Sequence, residues 1–576
     1  MYCPLFTDSK TRQIRLSNDL AKMLCKMFYT LGLVAAMLSS ISAISHDIGR
    51  SNFLLVIVDD LRPALGCYGD RRAHTPNIDR LASEGIRFEK AYAQQALCGP
   101  SRNSLLTSRR PDTLGLYDFY SYWREVAGNY TTLPEHLRNN GYTTVSLGKV
   151  FHPGASSNYS DDSPYSWSRT PFHPRTDRFK DAPVCSGQRS PPARNLICPV
   201  RVSSMPTRTL PDIEILNAAK QFLNSNREEP FFLAVGFQKP HIPLKYPKRY
   251  MRFHSLRKFV LPDKYEWPIN VSHVAYNSWM DLRRRNDVKK LKLRCPWQKI
   301  PKKYARKIIR AYYSAVTYID DLIGQLMNEL EMLKIRKNTV IILTSDHGWS
   351  LGEHAEWAKY SNFEVALRVP LIISIPNLTF KSYDTRNLCL VSKAIRSQNC
   401  RTKASVDECC DDCKMIANPV ELLDVFPTIA ELAGFPVRSC PRKKSDSIPN
   451  LCTEGSSLIP LIEGLLRCQS SSWKNAALSQ YPRSTTHPTC TASDDEPRLR
   501  DITIMGYTLR TIRYRYTAWV GFSAISKRPD WQEILAEELY DHSVDADENF
   551  NIANLDASHR VKSDLKNLLI FQLNNE

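Results

Sequence analysis

The segment QALCGPSRNSLLTSRRP, Gln95 to Pro111, sets Cys98 two residues before Pro100 and four before Arg102. A thiol in that setting has several fates: disulfide partner, thiolate nucleophile, metal ligand, or something else. Two other short stretches carry charge in telling positions. Asp59-Asp60 close the apolar run FLLVIV, and Asp346-His347-Gly348 close NTVIILTS. Three carboxylates brought to one point repel strongly, so a cation is expected among them. Oxygen ligands favour calcium or magnesium over zinc, and His347 leaves room for another metal. Taken alone, Asp59-Asp60 read equally well as a helix cap or a turn.

Pro100 bears on Cys98. Proline is favoured at the first position of a helix, and PSRNSLLTS after it has helical spacing. Cys98 is therefore expected at a helix N-terminus, where amide donors and the dipole favour anions. Arg102, one turn in, can fork onto an oxyanion. Lys149, His152, Lys239, His241 and Lys359 add positive or proton-donating groups. Each of these taken singly is an ordinary solvated side chain. A divalent cation, a helix N-terminus and several cations around one nucleophile suit a tetrahedral oxyanion, sulfate or phosphate.

The elements that must position these groups are legible. FLLVIV (53–58) and PFFLAVGF (230–237) are apolar runs without alternation, as expected of strands buried on both faces. TTVSL and NTVIILTS read as two more strands. LPEHLRNNGY reads as a helix closing at Asn-Gly. The stretch RKIIRAYYSAVTYIDDLIGQLMNEL has apolar residues at helical spacing over several turns. Strand, polar cluster and helix recur, which predicts an α/β domain with a mostly parallel sheet. Ligands in such sheets bind beyond the carboxyl ends of the strands. Four strands here release Asp59 and Asp60, Lys149 and His152, Lys239 and His241, and Asp346 and His347 at that rim. From about residue 464 the pattern changes. YTLRTIRYRYTAWV alternates apolar and polar residues, which predicts antiparallel strands in a smaller α+β unit.

The chain has 576 residues, 42% of them apolar, enough for a large core and well outside the range of disorder. Length alone suggests roughly three to four domains. A net charge of +19 favours an anionic partner: nucleic acid, an anionic polysaccharide or a membrane surface. The densest basic run, Asp281 to Arg294, also reads as a solvated face. Residues 1–43 combine a basic region, the apolar stretch MFYTLGLVAAMLSSISA and a small-residue exit, the pattern of a cleaved secretory signal. Its rival is a membrane anchor, and its basic region is long enough for translation to start at Met23 or Met27. Sequons at Asn129, Asn158, Asn270 and Asn377 and sixteen cysteines agree with secretion. Cys185–Cys198 and Cys440–Cys452 are plausible local bridges. The cluster Cys389, Cys400, Cys409, Cys410 and Cys413 lacks a nearby histidine, which favours disulfides over zinc. With the leader cysteines and Cys98 set aside an odd number remains, and Cys67 is the candidate free thiol.

CGPSR matches the C-x-P-S-R motif of the sulfatases, and the chain resembles that family in VDDLRPALGCYGD, TPNIDRLASEGIRFEKAYAQQ, GKVFHPG, KPHIP and SDHGWSLGEHAEWAKYSNFEVA. The resemblance spans roughly residues 53 to 550. It implies an alkaline-phosphatase-like sulfatase fold: a catalytic subdomain over 44–463 and a C-terminal subdomain over 464–576. It implies conversion of Cys98 to formylglycine by the formylglycine-generating enzyme, which reads Cys98, Pro100 and Arg102. It implies one calcium ion held by Asp59, Asp60, Asp346 and His347 together with residue 98. Arg102 and Lys149 would steady the hydrated aldehyde, His241 or Lys359 would protonate the leaving alcohol, and His152 would act as base. Trp349 and Tyr360 would grip a uronate ring. The implied substrate is a terminal 2-O-sulfated iduronate in heparan or dermatan sulfate. The implied setting is the lysosome, with secretion to the exterior as alternative, for a monomer without stable membrane insertion. Ser108 departs from the family pattern, which has glycine there. Three rivals follow: a phosphatase or phosphodiesterase on the same scaffold, a glycan-binding relative without activity, and a nucleic-acid binder suggested by charge alone.

Overall fold

The computed structural model describes residues 51–185, 191–225, 230–379, 414–441, 449–467 and 469–575. The expected leader and the cysteine cluster from Cys389 to Cys413 lie outside these residues.

The apolar runs form the centre of a seven-stranded sheet. Its members are β1 (Asn52–Val58), β2 (Ile86–Tyr92), β3 (Thr143–Gly148), β4 (Phe231–Phe237), β5 (Thr339–Ser345), β6 (Arg368–Ser374) and β7 (Met415–Glu421). Their order is β7-β2-β6-β5-β1-β4-β3. β1 lies parallel to β4 and β5, and β3 parallel to β4, while β6 runs antiparallel to both its neighbours. β1, β4 and β5 are buried along their whole length. Each apolar side chain they hide contributes roughly 1.5–3 kcal/mol. Helices cover the faces, among them α1 (Pro76–Glu84), α2 (Cys98–Thr107), α3 (Leu133–Asn139), α4 (Pro211–Ser225) and α5 (Lys302–Met332). The expected helix at 133 opens with a capping box between Thr132 and Glu135 and ends at Asn140.

The ends of the strands are sewn together. Val58 pairs with Ser345 and with Phe237, so Asp59 and Asp60 emerge beside Asp346. The Asp60 amide donates to Asp346 Oδ1 (3.1 Å) and the Leu61 amide to Ser345 Oγ (2.9 Å). The long helix α5 contributes Tyr312, whose hydroxyl donates to the Asp60 carbonyl (2.7 Å). On the other side Gly148 pairs with Gly236, and a Cβ on Gly236 would lie 2.0 Å from the Lys149 carbonyl. Glycine at 236 is what lets Lys149 turn into the site.

The C-terminal strands β8 (Ala476–Arg483), β9 (Ile504–Thr511), β10 (Tyr514–Ser523) and β11 (Arg528–Asp541) form the expected antiparallel sheet, followed by α6 (His559–Asn575). This sheet has its own apolar core around Tyr507, Tyr516 and Leu539. It docks on the large sheet through β8, where the Gln480 amide donates to the Gln94 carbonyl (2.7 Å). The chain from Ser51 onward is one compact unit rather than the three or four that length suggests. The bridges Cys185–Cys198 and Cys440–Cys452 are formed. A third, Cys295–Cys490, joins residues 195 apart in sequence, a pairing no local spacing reveals. Cys67 and Cys98 are the free thiols among the described residues. All four sequon asparagines are exposed.

Candidate active site

Cys98 is the first residue of α2, two positions earlier than the helix start expected from Pro100. Pro100 then stands in the first turn, where a missing N–H costs nothing. The helix is wholly buried and ends at Ser108, which adopts left-handed φ 51°. That conformation costs a non-glycine residue roughly 1–2 kcal/mol. Ser108 offsets the cost with its hydroxyl, which donates to the Leu423 carbonyl (2.8 Å) and accepts from the Gly455 amide (3.1 Å). The serine in place of the family glycine is thus accommodated locally.

Around Cys98 Sγ the structure gathers Lys359 Nζ at 2.9 Å, His347 Nε2 at 3.2 Å, Lys149 Nζ at 3.3 Å and Asp59 Oδ1 at 3.5 Å. Lys149 also bonds both oxygens of Asp59, at 2.9 and 2.8 Å, and Lys359 bonds Asp60 Oδ1 at 3.1 Å. Burial pushes the Cys98 thiol up to about 12, with the two lysines opposing. Cys98 is unbridged, so the disulfide reading fails.

Arg102 differs from expectation. Its side chain is fully buried, with Nε donating to Asp346 Oδ2 (2.9 Å) and Nη2 to Asp59 Oδ1 (3.0 Å). Nη1 donates to the carbonyls of Lys149 and Val150. The fork is occupied by carboxylates and backbone and does not face a ligand. Lys239 is similarly diverted, its ammonium donating to the carbonyls of His241 and Pro243 within its own loop. Trp349 is a third difference. It packs in the main core outside the cavity lining, with Lys359 Nζ 6.0 Å from its ring. Tyr360, by contrast, lines the cavity.

The carboxylates fit a hard cation. Asp60 Oδ2 is buried with no hydrogen-bond partner. Burial pushes Asp60 up to about 7, Asp59 and Asp346 add to the shift, and Lys359 opposes it. For Asp59, burial is outweighed by Lys149, His241, Arg102 and Lys359, which hold it well below the usual range. His347 Nδ1 lies 3.0 Å from the Gly348 carbonyl, which assigns the proton to Nδ1 and leaves Nε2 a free lone pair. Nε2 is 3.5 Å from Asp346 Oδ2 and 3.6 Å from Asp60 Oδ1. Ligand atoms of Asp59, Asp60, Cys98 and His241 lie within 4.8 Å of one another, as do those of Cys98, Asp346 and His347. Arg102, Lys149 and Lys359 balance the three carboxylates, so a dication brings a positive excess that an anionic ester would neutralise.

Above this floor opens a cavity of about 440 Å³. His152 and His241 line it, and burial together with the nearby lysines lowers both well below the usual imidazole range. His152 stacks on Phe119 at 4.2 Å between ring centroids. His241 Nδ1 donates to the Ile242 carbonyl (2.6 Å), so its Nε2, 4.0 Å from Asp60 Oδ2, is unprotonated in the neutral ring. Sequence reasoning missed much of the lining: Phe119, His173, Lys180, Arg285 and Glu496 come from irregular segments and Asp281 from a one-turn helix, far apart in the chain. It also missed β2, whose mixed burial hides its strand character and which feeds the segment leading to Cys98.

The sulfatase family profile matches residues 51–435. Iduronate 2-sulfatase of Mus musculus is 44% identical over 88% of this chain and 91% of that protein. The Homo sapiens iduronate 2-sulfatase is 43% identical over 91% and 95%. Among solved structures, the phosphonate monoester hydrolase of Agrobacterium radiobacter superposes with a TM-score of 0.63 at 18% identity, covering 91% of this chain and 95% of that one. That likeness concerns the fold alone. Family profile, two relatives matched nearly end to end and a CGPSR helix set against carboxylates and lysines agree: this chain belongs to the sulfatases, hydrolases of sulfuric esters.

Proposed function

We propose that the chain is an exo-acting sulfatase that removes the 2-O-sulfate from terminal iduronate of heparan and dermatan sulfate. The observation that carries this is the convergence of Lys149, Lys359, His347 and Asp59 on Cys98 Sγ at the floor of the cavity. The sugar rests on the two iduronate 2-sulfatases, at 43–44% identity.

We assign one calcium ion to Asp59, Asp60, Asp346 and His347, with residue 98 completing the set; bound there, it supplies Lewis-acid polarisation of sulfate oxygens. Residue 98, converted to formylglycine, would supply a hydrated aldehyde: one hydroxyl as nucleophile toward sulfur, and a second whose loss of a proton re-forms the carbonyl as the C–O bond to sulfate breaks. The chain's own residues do the rest. Lys149, fixed by both oxygens of Asp59, holds its ammonium against the substituent of residue 98. Arg102 is a positioning residue that keeps Asp59 and Asp346 in place. Lys359, whose ammonium lies 2.9 Å from Cys98 Sγ and is anchored on Asp60, donates the proton to the departing alcohol. His241 offers its unprotonated Nε2 to the same region. His152, kept neutral by burial and nearby cations, takes the proton that accompanies sulfate release. Tyr360 meets the ring. The exposed sequons and disulfides support a secretory route, with the lysosome as destination and a monomer as working form. Among the described residues no helix is long and apolar enough to cross a membrane.

The test is sulfate release from a disaccharide ending in 2-O-sulfated iduronate, beside one ending in 6-O-sulfated glucosamine and an iduronate 2-phosphate. Turnover of the first alone is expected. Turnover of the second alone overturns the sugar, and preference for the phosphate overturns the reaction.

A further inference from the structure

The cavity is not uniformly basic. Lys149, Lys180, Lys239 and Arg285 line it, but so do Asp281 and Glu496. The two acids meet through one residue: the Tyr360 hydroxyl lies 3.0 Å from Asp281 Oδ2 and 2.9 Å from Glu496 Oε1. A phenol has a single hydrogen, so it satisfies one carboxyl oxygen at a time. The second contact calls for a further donor: a proton on a carboxyl, or a hydroxyl brought by a ligand. Burial pushes both carboxyl groups up; Lys359 and Tyr360 oppose, as does Arg285 at Asp281 and Arg284 at Glu496.

This wall is rigid. Asp281 Oδ1 accepts from the Leu282 amide (2.7 Å). Asp495, beside Glu496, accepts from the amides of Ser278 and Met280, both at 2.7 Å. Cys295–Cys490 ties the same two segments. Arg483 of β8 holds the Tyr360 carbonyl (2.8 Å), and Tyr360 has left-handed φ 72°. A cavity meant only to gather negative charge gains nothing from two carboxyl groups, whose burial is costly.

We propose that Asp281, Tyr360 and Glu496 determine specificity: they accept hydrogen bonds from free hydroxyls of the sugar ring whose sulfate lies at residue 98, and they exclude rings bearing a second anionic group on that edge. The proposal rests on the sulfatase reading of the site. A ring carboxylate falls to the basic lining at Lys180 and Arg285. Like-charge contact across an interface is strongly unfavourable, so singly sulfated terminal rings are preferred by roughly tenfold or more.

The experiment compares kcat/KM for matched disaccharides with one or two sulfates on the terminal ring, in the wild-type chain, Glu496→Gln and Glu496→Lys. The ratio of the two values is independent of the folded fraction of a preparation. The wild-type preference is expected to narrow about threefold or more in Glu496→Gln, where Asp281 remains, and to vanish or reverse in Glu496→Lys. A preference that stays within about twofold of wild type in both variants overturns the wall. Sulfate release from the singly sulfated disaccharide by the wild-type chain separates the two readings. Turnover there with an unmoved ratio refutes the wall alone, whereas no release from either disaccharide removes the substrate reading and the wall with it.

Discussion

Arg102→Met isolates the feature in which structure and sequence differ most. The guanidinium is fully buried and holds Asp346 at 2.9 Å and Asp59 at 3.0 Å. Removing one partner of a buried ion pair costs about 3–5 kcal/mol. Here Asp59 keeps both bonds from Lys149, and Asp346 Oδ1 keeps the amides of Asp60 and His347. The lower part of that range, about 3–4 kcal/mol, is therefore expected. Unfolding entropy near 60 °C is ~2.1 cal/mol/K per residue, or roughly 1 kcal/mol/K for a folded unit of about 500 residues. Tm should fall by about 3–4 °C. Arg102 also stands in the segment expected to be read when Cys98 is converted, so activity would confuse two effects and stability is the cleaner measure. Scanning calorimetry in chelator and in calcium gives both halves of the answer. The variant's carboxylates have lost one counter-charge, so calcium should raise its Tm by more than it raises that of wild type. A variant that melts within about 1 °C of wild type in chelator would refute the assignment of Arg102 as keeper of the carboxylates.

His254, 2% exposed and bonded to Thr317 Oγ1 at 2.8 Å, is lowered to about 4 by burial, with His74, Lys258 and Arg310 adding to it. The unfolded chain takes up that proton first, so this contribution is full above the unfolded pKa of about 6.5 and lost as pH falls toward 4. Urea midpoints should show a shallower acid limb in His254→Gln than in wild type; parallel limbs would contradict it. Cys490→Ser opens a bridge across 195 residues and should cost about 2–4 kcal/mol, read as a Tm lower by a few degrees under oxidising conditions. An unchanged Tm would mean the bridge carries no stability. Gly236→Ala drives a methyl into the Lys149 carbonyl, and sulfate-ester turnover should collapse even in soluble protein. Wild-type turnover would show that the close approach of β3 and β4 does not set Lys149.

How much of this was legible in the sequence depends on what each residue signals locally. β1, β4 and β5 announce themselves as apolar runs ending in Asp59, Lys239 and Asp346, because strands buried on both faces admit little else. β2 does not: IRFEKAY buries its apolar residues between half-exposed charges, and its partner β6 runs the other way. The basic rim was readable, but the direction in which each cation points was not. Arg102 and Lys239 sit at the right strand and helix ends and then turn to carboxylates and carbonyls, a choice made by tertiary neighbours. Trp349 stood in a promising motif and went to the core. Asp281 lay inside a basic run and Glu496 in a loop without periodicity. Only the fold and the Cys295–Cys490 bridge bring their segments to one cavity.

Residue 98, on this mechanism, works as an aldehyde and not as a thiol. Mass spectrometry of the peptide spanning Cys98, from chain made in a secretory cell and active on a sulfate ester, tests it directly. Formylglycine is expected at position 98 in the active fraction. An unmodified thiol at that position throughout an active preparation would contradict it.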